Sequence, residues 1–267
     1  MRFVKMHGNG NDFVVFDEYS REIVPEREKP RFVRAVCHRN FGVGGDGAIF
    51  VQRSSVADAK FRYFNSDGSE AAMCGNGIRC FARYVVEEGY AATGRISVET
   101  LAGVIELDVW KDGIWWIRVK MGKPEFLWSR ELEVNGRSYE VHHVLVGVPH
   151  AVVFVDDLDF DILPDARAIR YHRAFPKGTN VNFVKVEGGK LKIRTYERGV
   201  EGETLSCGTG SVASAFVASR LGYVGKVVEV LTRGGKLVVE LEEEAKLIGS
   251  ASRVFEGELN VDELYEV

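Results

Sequence analysis

Residues 64–90, FNSDGSEAAMCGNGIRCFARYVVEEGY, repeat in outline as residues 196–223, YERGVEGETLSCGTGSVASAFVASRLGY. Each stretch opens on an aromatic strand end and passes through a polar, Gly-rich loop. Each then reaches a C-G-x-G turn, an apolar helical run and a Gly-Tyr stop. The Gly-Tyr pair begins fifteen residues after the cysteine in both, at Gly89 after Cys74 and at Gly222 after Cys207. The match continues downstream, where ISVETLAGVIEL pairs with VEVLTRGGKLVVEL as two short strands joined by a Gly turn. One fold unit is therefore present twice.

Outward from these landmarks the pattern is mostly strand. FVVFD, AIFVQ, KFRYF, ELDVW, WWIRVKM, AVVFV, VNFVKV and LKIRTYE alternate or run β-branched and aromatic. Helices are expected after each cysteine, around Arg31 to His38, and near Ala166 to His172. Ile78, Ala82 and Val85 lie on one face of the first cysteine helix, and Ala215, Phe216 and Ala218 do similar work in the second. The fold class is α+β, two pseudo-symmetric and similar domains. Each is expected to be a curved, antiparallel-rich sheet around a central helix, with the active site in the cleft between them. The halves are expected at 1–113 plus 254–267 and at 114–253, with a hinge near Lys111 to Gly113.

A chain of 267 residues with 45% hydrophobic content and six prolines has the material for a substantial core. Its 35 basic and 39 acidic residues are spread without a basic block, so neither nucleic acid nor an anionic membrane is an expected partner. The start, MRFVKMHGNGNDF, turns polar before a secretory core could form, and VLVGVPHAVVFV is interrupted by Pro149 and His150. A soluble cytoplasmic enzyme is expected. Cys37, Cys74, Cys80 and Cys207 are too scattered for a disulfide scaffold, and no C-x-x-C or H-x-x-x-H pair supports a metal site. Cys37 and Cys80, lacking a Gly-rich turn, read as small buried hydrophobes.

A cysteine at a helix start sits among unpaired backbone N–H groups and the positive end of the helix dipole, which favours the thiolate and lowers its pKa. The glycines that follow let a carboxylate approach bare backbone. One such turn is more often a buried cysteine than a site; two at equivalent places in a repeat form a pair. Facing each other across a cleft, one thiolate takes a proton from one face of a carbon while the other thiol delivers one to the opposite face. The outcome is stereoinversion at an amino-acid α-carbon. No P-loop, dinucleotide fingerprint or pyridoxal-lysine context is present, so no cofactor is expected.

The stretches KMHGNGNDFVVFD, NSDGSEAAMCGNGIRCFARY, GVPHAVVFV, GTNVNFV and YERGVEGETLSCGTGSVASA resemble the signatures of the diaminopimelate epimerase family, over essentially the whole chain. The resemblance implies interconversion of LL- and meso-diaminopimelate on the route to lysine, without a cofactor, by a soluble enzyme expected to be a homodimer. It makes Cys74 and Cys207 the acid/base pair, and has Gly75, Asn76, Gly208 and Thr209 bind the α-carboxylate. Asn11, Asn65 and Asn180 match substrate-contacting asparagines. Glu197 and Arg198 match the pair that reads the distal end, Arg198 taking the distal carboxylate. His150 and Glu197 match groups beside the thiols.

One departure concerns specificity: V-P-H stands where the family usually has N-P-H, so Val148 replaces an asparagine near the distal group. A racemase of the same fold acting on lysine is the neighbouring reading, whereas proline lacks the carboxylate that Arg198 implies. From a different class, a redox or binding module with a reversible Cys74–Cys207 disulfide fits the same two thiols.

Overall fold

The computed structural model describes residues 1–265. The chain gathers into two compact units, Met1–Val119 with the segment from Gly249 onward, and Lys120–Ile248.

In the first unit β1 (Arg2–Gly8) turns at Asn9 and Gly10, both with positive φ, into antiparallel β2 (Asn11–Glu18). Helix α1 (Lys29–Cys37) leads to β3 (Gly47–Gln52), parallel to β2, and β4 (Ala59–Asn65), antiparallel to β3. Short β5 (Glu70–Ala71) precedes α2 (Gly75–Glu87). Next come β6 (Gly94–Thr100), parallel to β4, and β7 (Gly103–Asp112) and β8 (Ile114–Lys120), each antiparallel to its predecessor. Gly113, where a hinge was expected, is the tight turn of the β7–β8 hairpin, with Asp112 paired to Ile114 across it.

The second unit repeats this order: β9 (Glu125–Val134), β10 (Arg137–Val146), β11 (Val148–Phe154), α3 (Leu163–Arg170), β12 (Asn180–Glu187), β13 (Lys190–Glu197), β14 (Gly202–Thr204), α4 (Gly208–Arg220), β15 (Val227–Thr232), β16 (Gly235–Leu241) and β17 (Ala245–Ser250). Strands β11 and β12 are parallel, as are β13 and β15; the remaining pairs recorded within the unit are antiparallel. Finally β18 (Ser252–Glu258) pairs with β1 in the first unit, in the place β9 holds beside β10 in the second.

The registers make the repeat exact enough to align residue by residue. Ala48 sits opposite Phe64 and Val14, as Val181 sits opposite Tyr196 and Ala151. Phe13 therefore corresponds to His150, and Asn11 to Val148.

Helix α2 packs on β1 to β4 and β7, and α4 on β10 to β13, β15 and β16, so in each unit the sheet wraps one helix. Helix α4 is built largely of Gly, Ala and Ser, which lets strands approach it on nearly every side, and Val212, Ala215, Val217 and Ala218 join Val144, Val184, Leu237 and Val239 in one core. Ile78, Ala82 and Val85 are fully buried in α2. Burial of Ile78 or Val85 alone stabilises the fold by about 1.5–3 kcal/mol. The opposite faces are covered by α1, over Phe16 and Phe50, and by α3, over Val181 and Phe183.

Candidate active site

Cys74 and Cys207 are the residues immediately before α2 and α4, in the same extended conformation (φ −143°, ψ 115° and φ −122°, ψ 112°). A polar loop delivers each cysteine to a helix that the sheet holds rigidly. All four cysteines are free, with Cys37 and Cys80 buried as expected.

Around Cys74 the sulfur accepts from the Gly77 N–H at 3.4 Å and stands 3.9 Å from Asn11 Oδ1. The Tyr63 hydroxyl on β4 also faces it. Sγ thus meets a donor suited to a thiolate and an acceptor suited to a thiol, which a group that takes and returns a proton needs. Asn76 Nδ2 donates to Asn11 Oδ1 at 3.2 Å, and Asn11 Nδ2 donates to Asp46 Oδ2 at 2.6 Å. A Cβ added at Gly75 would meet nothing within 4 Å, so the first turn of α2 is open to an incoming group. Asn65 is apart from this group, its side chain donating to Ser69 Oγ at 3.0 Å in the turn after β4.

Cys207 lies 3.5 Å from Thr209 Oγ1, and the Glu197 carboxyl at the end of β13 stands beside it. Glu197 is itself held by the Thr204 hydroxyl of β14. Asn180 clamps two segments: Oδ1 accepts from the Arg198 N–H at 2.8 Å, and Nδ2 donates to the Pro149 carbonyl at 3.1 Å. The Arg198 guanidinium donates to the Lys177 carbonyl at 3.2 Å and pairs with no carboxylate among the described residues. His150 is fully buried, and its Nδ1 faces Asn182 Nδ2 at 3.2 Å. The Thr195 hydroxyl fixes the Asn182 amide by donating to Oδ1 at 3.0 Å. His150 Nδ1 is therefore an acceptor, and the proton sits on Nε2, which has no protein partner.

Burial reverses one expectation. Both thiols are held above the ordinary cysteine range, because desolvation of the charged form outweighs the helix N–H groups that favour it. For Cys207, pushed up to about 12, the Glu197 charge adds to the effect of burial. Burial likewise raises Glu197. Burial, then the Arg198 charge, pushes His150 down to about 3, so it is neutral near pH 7.

Several supporting residues escape sequence reasoning. Tyr63 follows Phe61 at the inward period of β4, which signals burial without revealing the sulfur it faces. Thr195 and Asn182 lie inside strands that read as core. Asp46 belongs to a Gly-rich loop. Among the described residues no group of three or more His, Cys, Asp or Glu is placed to hold a metal ion, and no helix is long and apolar enough to cross a membrane.

The folded chain resembles a phenazine biosynthesis protein of the PhzF family from Bacillus anthracis, with TM-score 0.78 at 19% identity over 98% of this chain and 99% of that one. A probable proline racemase from Agrobacterium radiobacter superposes with TM-score 0.70 at 16% identity, over 98% and 93%. The two-unit repeat thus shares its fold with both of these proteins. Within it, the model of diaminopimelate epimerase matches residues 3–127 and 142–257, and the chain belongs to that family. The diaminopimelate epimerase of Archaeoglobus fulgidus is 63% identical over 98% of this chain and 97% of its own length. That of Aquifex aeolicus is 44% identical over 99% of both.

Proposed function

We propose that this enzyme interconverts LL- and meso-diaminopimelate, in the formation of lysine, by exchanging protons between the substrate α-carbon and the thiols of Cys74 and Cys207. The observation that carries the reading is the pair of cysteines at matched helix starts of a matched repeat, within a family named for this reaction. One sulfur removes the α-proton while the other protonates the opposite face, so the reaction needs both. Backbone N–H groups at Gly75–Asn76 and Gly208–Thr209 face the α-carboxylate, where charge builds as the α-carbon is deprotonated. Raised thiol pKa values suit this role: a basic sulfur is the better match for a weak carbon acid, and closure around the substrate keeps water from the exchange.

Arg198, held at its backbone by Asn180 and paired with no carboxylate among the described residues, is assigned to the distal carboxylate. Glu197 is assigned to the distal ammonium and to Cys207. Asn11 and Asn65 line the substrate, and the Nε2–H of His150 donates into the site. Val148 supports a second substrate reading, lysine, which lacks the distal carboxylate. The enzyme is taken as cytoplasmic and a homodimer.

The test is deuterium wash-in at the α-carbon in heavy water, with inversion followed on LL-diaminopimelate, lysine, glutamate and proline. Diaminopimelate is expected to exchange and invert. Cys74→Ala and Cys207→Ala are each expected to abolish inversion while leaving the circular dichroism unchanged. Near-normal inversion in either would end the two-thiol mechanism, and exchange with lysine alone would reassign the substrate.

A further inference from the structure

Arg79 is fully buried in α2, yet it pairs with no carboxylate among the described residues. Its guanidinium is held entirely by neutral oxygens. Nη2 donates to Asn9 Oδ1 at 2.8 Å and Asn76 Oδ1 at 2.9 Å, Nη1 to the Gly75 carbonyl at 3.4 Å, and Nε to the Ser250 carbonyl at 3.3 Å. The pocket leaves room for nothing more on one side: a Cβ at Gly8 would lie 3.1 Å from Nη2 and 2.9 Å from the Asn76 carbonyl oxygen. Burial pulls the guanidinium down to about 10, so it remains a cation near pH 7.

A buried cation without a counter-charge is costly to maintain, and its surroundings favour an anion nearby. The group that feels this charge is the Cys74 sulfur, five residues earlier at the start of the same helix. Arg79 is joined to it by a continuous chain of contacts, Arg79 to Asn76 to Asn11 to Cys74. The second copy has no such device. Five residues after Cys207 stands Val212, buried and apolar, and the charged group beside the sulfur is the Glu197 carboxyl. Two thiols on the same backbone turn therefore sit in opposite fields.

We propose that Arg79 is a positioning residue that makes the two thiols unlike before substrate arrives, its charge easing loss of the proton from Cys74 while Glu197 holds the proton on Cys207. This rests on the two-thiol reading above. Cys74 takes the α-proton of the first substrate and Cys207 gives its proton to the opposite face. Cys207 is left as thiolate, and the resting state returns when Cys74 releases its proton to solvent and Cys207 takes one up. The groups that face Cys74 are Arg79 and Cys80 of α2 and Tyr63 of β4, with Asp46 beyond Tyr63; those that face Cys207 are Glu197 of β13 and Thr209 of α4. Tyr63, raised by burial, and Cys80, raised to about 12 by burial, are both neutral.

The experiment is the pH dependence of iodoacetamide alkylation at each cysteine of the native enzyme. It is read peptide by peptide by mass spectrometry, with each rate scaled to its own plateau so that unequal access cancels. The Cys74 midpoint is expected below that of Cys207 by about one pH unit or more. Arg79→Met is expected to raise the Cys74 midpoint by about one unit and leave that of Cys207 in place, with Arg79→Lys restoring most of the shift. Glu197→Gln is expected to lower the Cys207 midpoint. A lower midpoint at Cys207 in the native enzyme, or a Cys74 midpoint unmoved in Arg79→Met, overturns the proposal. Should Arg79→Met fail to fold, the order of the native midpoints decides. If Cys→Ala variants still invert substrate, the two-thiol reading itself fails; if both thiols are essential but the midpoints fall in the wrong order, only the role of Arg79 does.

Discussion

Replacing Arg198 by alanine removes a guanidinium whose one recorded protein bond is to the Lys177 carbonyl, at 3.2 Å. The backbone at this position is held independently by Asn180, so the fold loses little, under about 1 kcal/mol for one half-exposed hydrogen bond. The substrate loses far more. A charge-assisted bond to a carboxylate contributes about 1.5–3 kcal/mol, which corresponds to roughly a 10- to 150-fold fall in kcat/KM for diaminopimelate. Lysine, without the distal carboxylate, should be processed as before by whatever fraction the wild type manages. Arg198→Lys keeps the charge but not the planar fork, and should fall between. The assay is kcat/KM for diaminopimelate and lysine in the three enzymes, beside thermal unfolding of each. An unchanged ratio of the two substrates in Arg198→Ala would show that the distal end is read elsewhere. A drop in melting temperature of more than a few degrees would show that the side chain is structural.

Four further outcomes follow from the geometry. Val148 corresponds by register to Asn11, whose amide reaches Cys74 and Asn76; Val148→Asn adds a polar group at that place and should sharpen preference for diaminopimelate over lysine about fivefold, the size of one neutral hydrogen bond. A flat ratio of kcat/KM would refute it. His150 is held near 3 when folded against an ordinary 6.5, so the unfolded chain binds its proton first as pH falls, and stability is lost from about pH 6.5 downward. By pH 5 this amounts to about 2 kcal/mol, and chemical denaturation should show His150→Gln losing that much less than the wild type between pH 7.5 and 5. Equal losses would remove His150 as the cause. At Gly210 an added Cβ would lie 2.3 Å from Asn182 Oδ1, so Gly210→Ala should destabilise by about 1–3 kcal/mol. Gly75→Ala, facing open space, should leave stability within about 1 kcal/mol and raise KM instead, which urea melts and steady-state kinetics separate.

The cysteine turns, the two helices after them and the doubled strand order were legible because each is a local pattern: glycines where the chain turns tightly, apolar residues at helical or strand spacing. The β9–β10 hairpin is harder to read although Asn135-Gly136, both with positive φ, is a strong turn signal, because its strands alternate with many charges. Gly113 read as a hinge because a glycine between two strands looks alike in a linker and in a tight hairpin. Arg79 was hidden for a different reason. A charge within an amphipathic helix reads as its wet face, and only the wrapping of α2 by β1 to β4 and β7 turns that residue inward. The direction of the thiol pKa shifts was out of reach for the same cause: the helix start is visible in sequence, but the burial that opposes it comes from strands far away along the chain.

Strand β10 finds its outer neighbour, β9, immediately before it, across a two-residue turn. Strand β1 must wait for β18, about 250 residues later, and even the terminal ammonium of Met1 is tied there, to the Leu259 carbonyl at 2.7 Å. During synthesis β9 and β10 can pair as soon as both leave the ribosome, while β1, in the unit that carries Cys74, keeps a bare edge until β18 emerges. That edge is the place where a nascent chain is open to pairing with a neighbour. The outer edge of the first unit's sheet is thus completed only by a strand that lies nearly 180 residues beyond its cysteine.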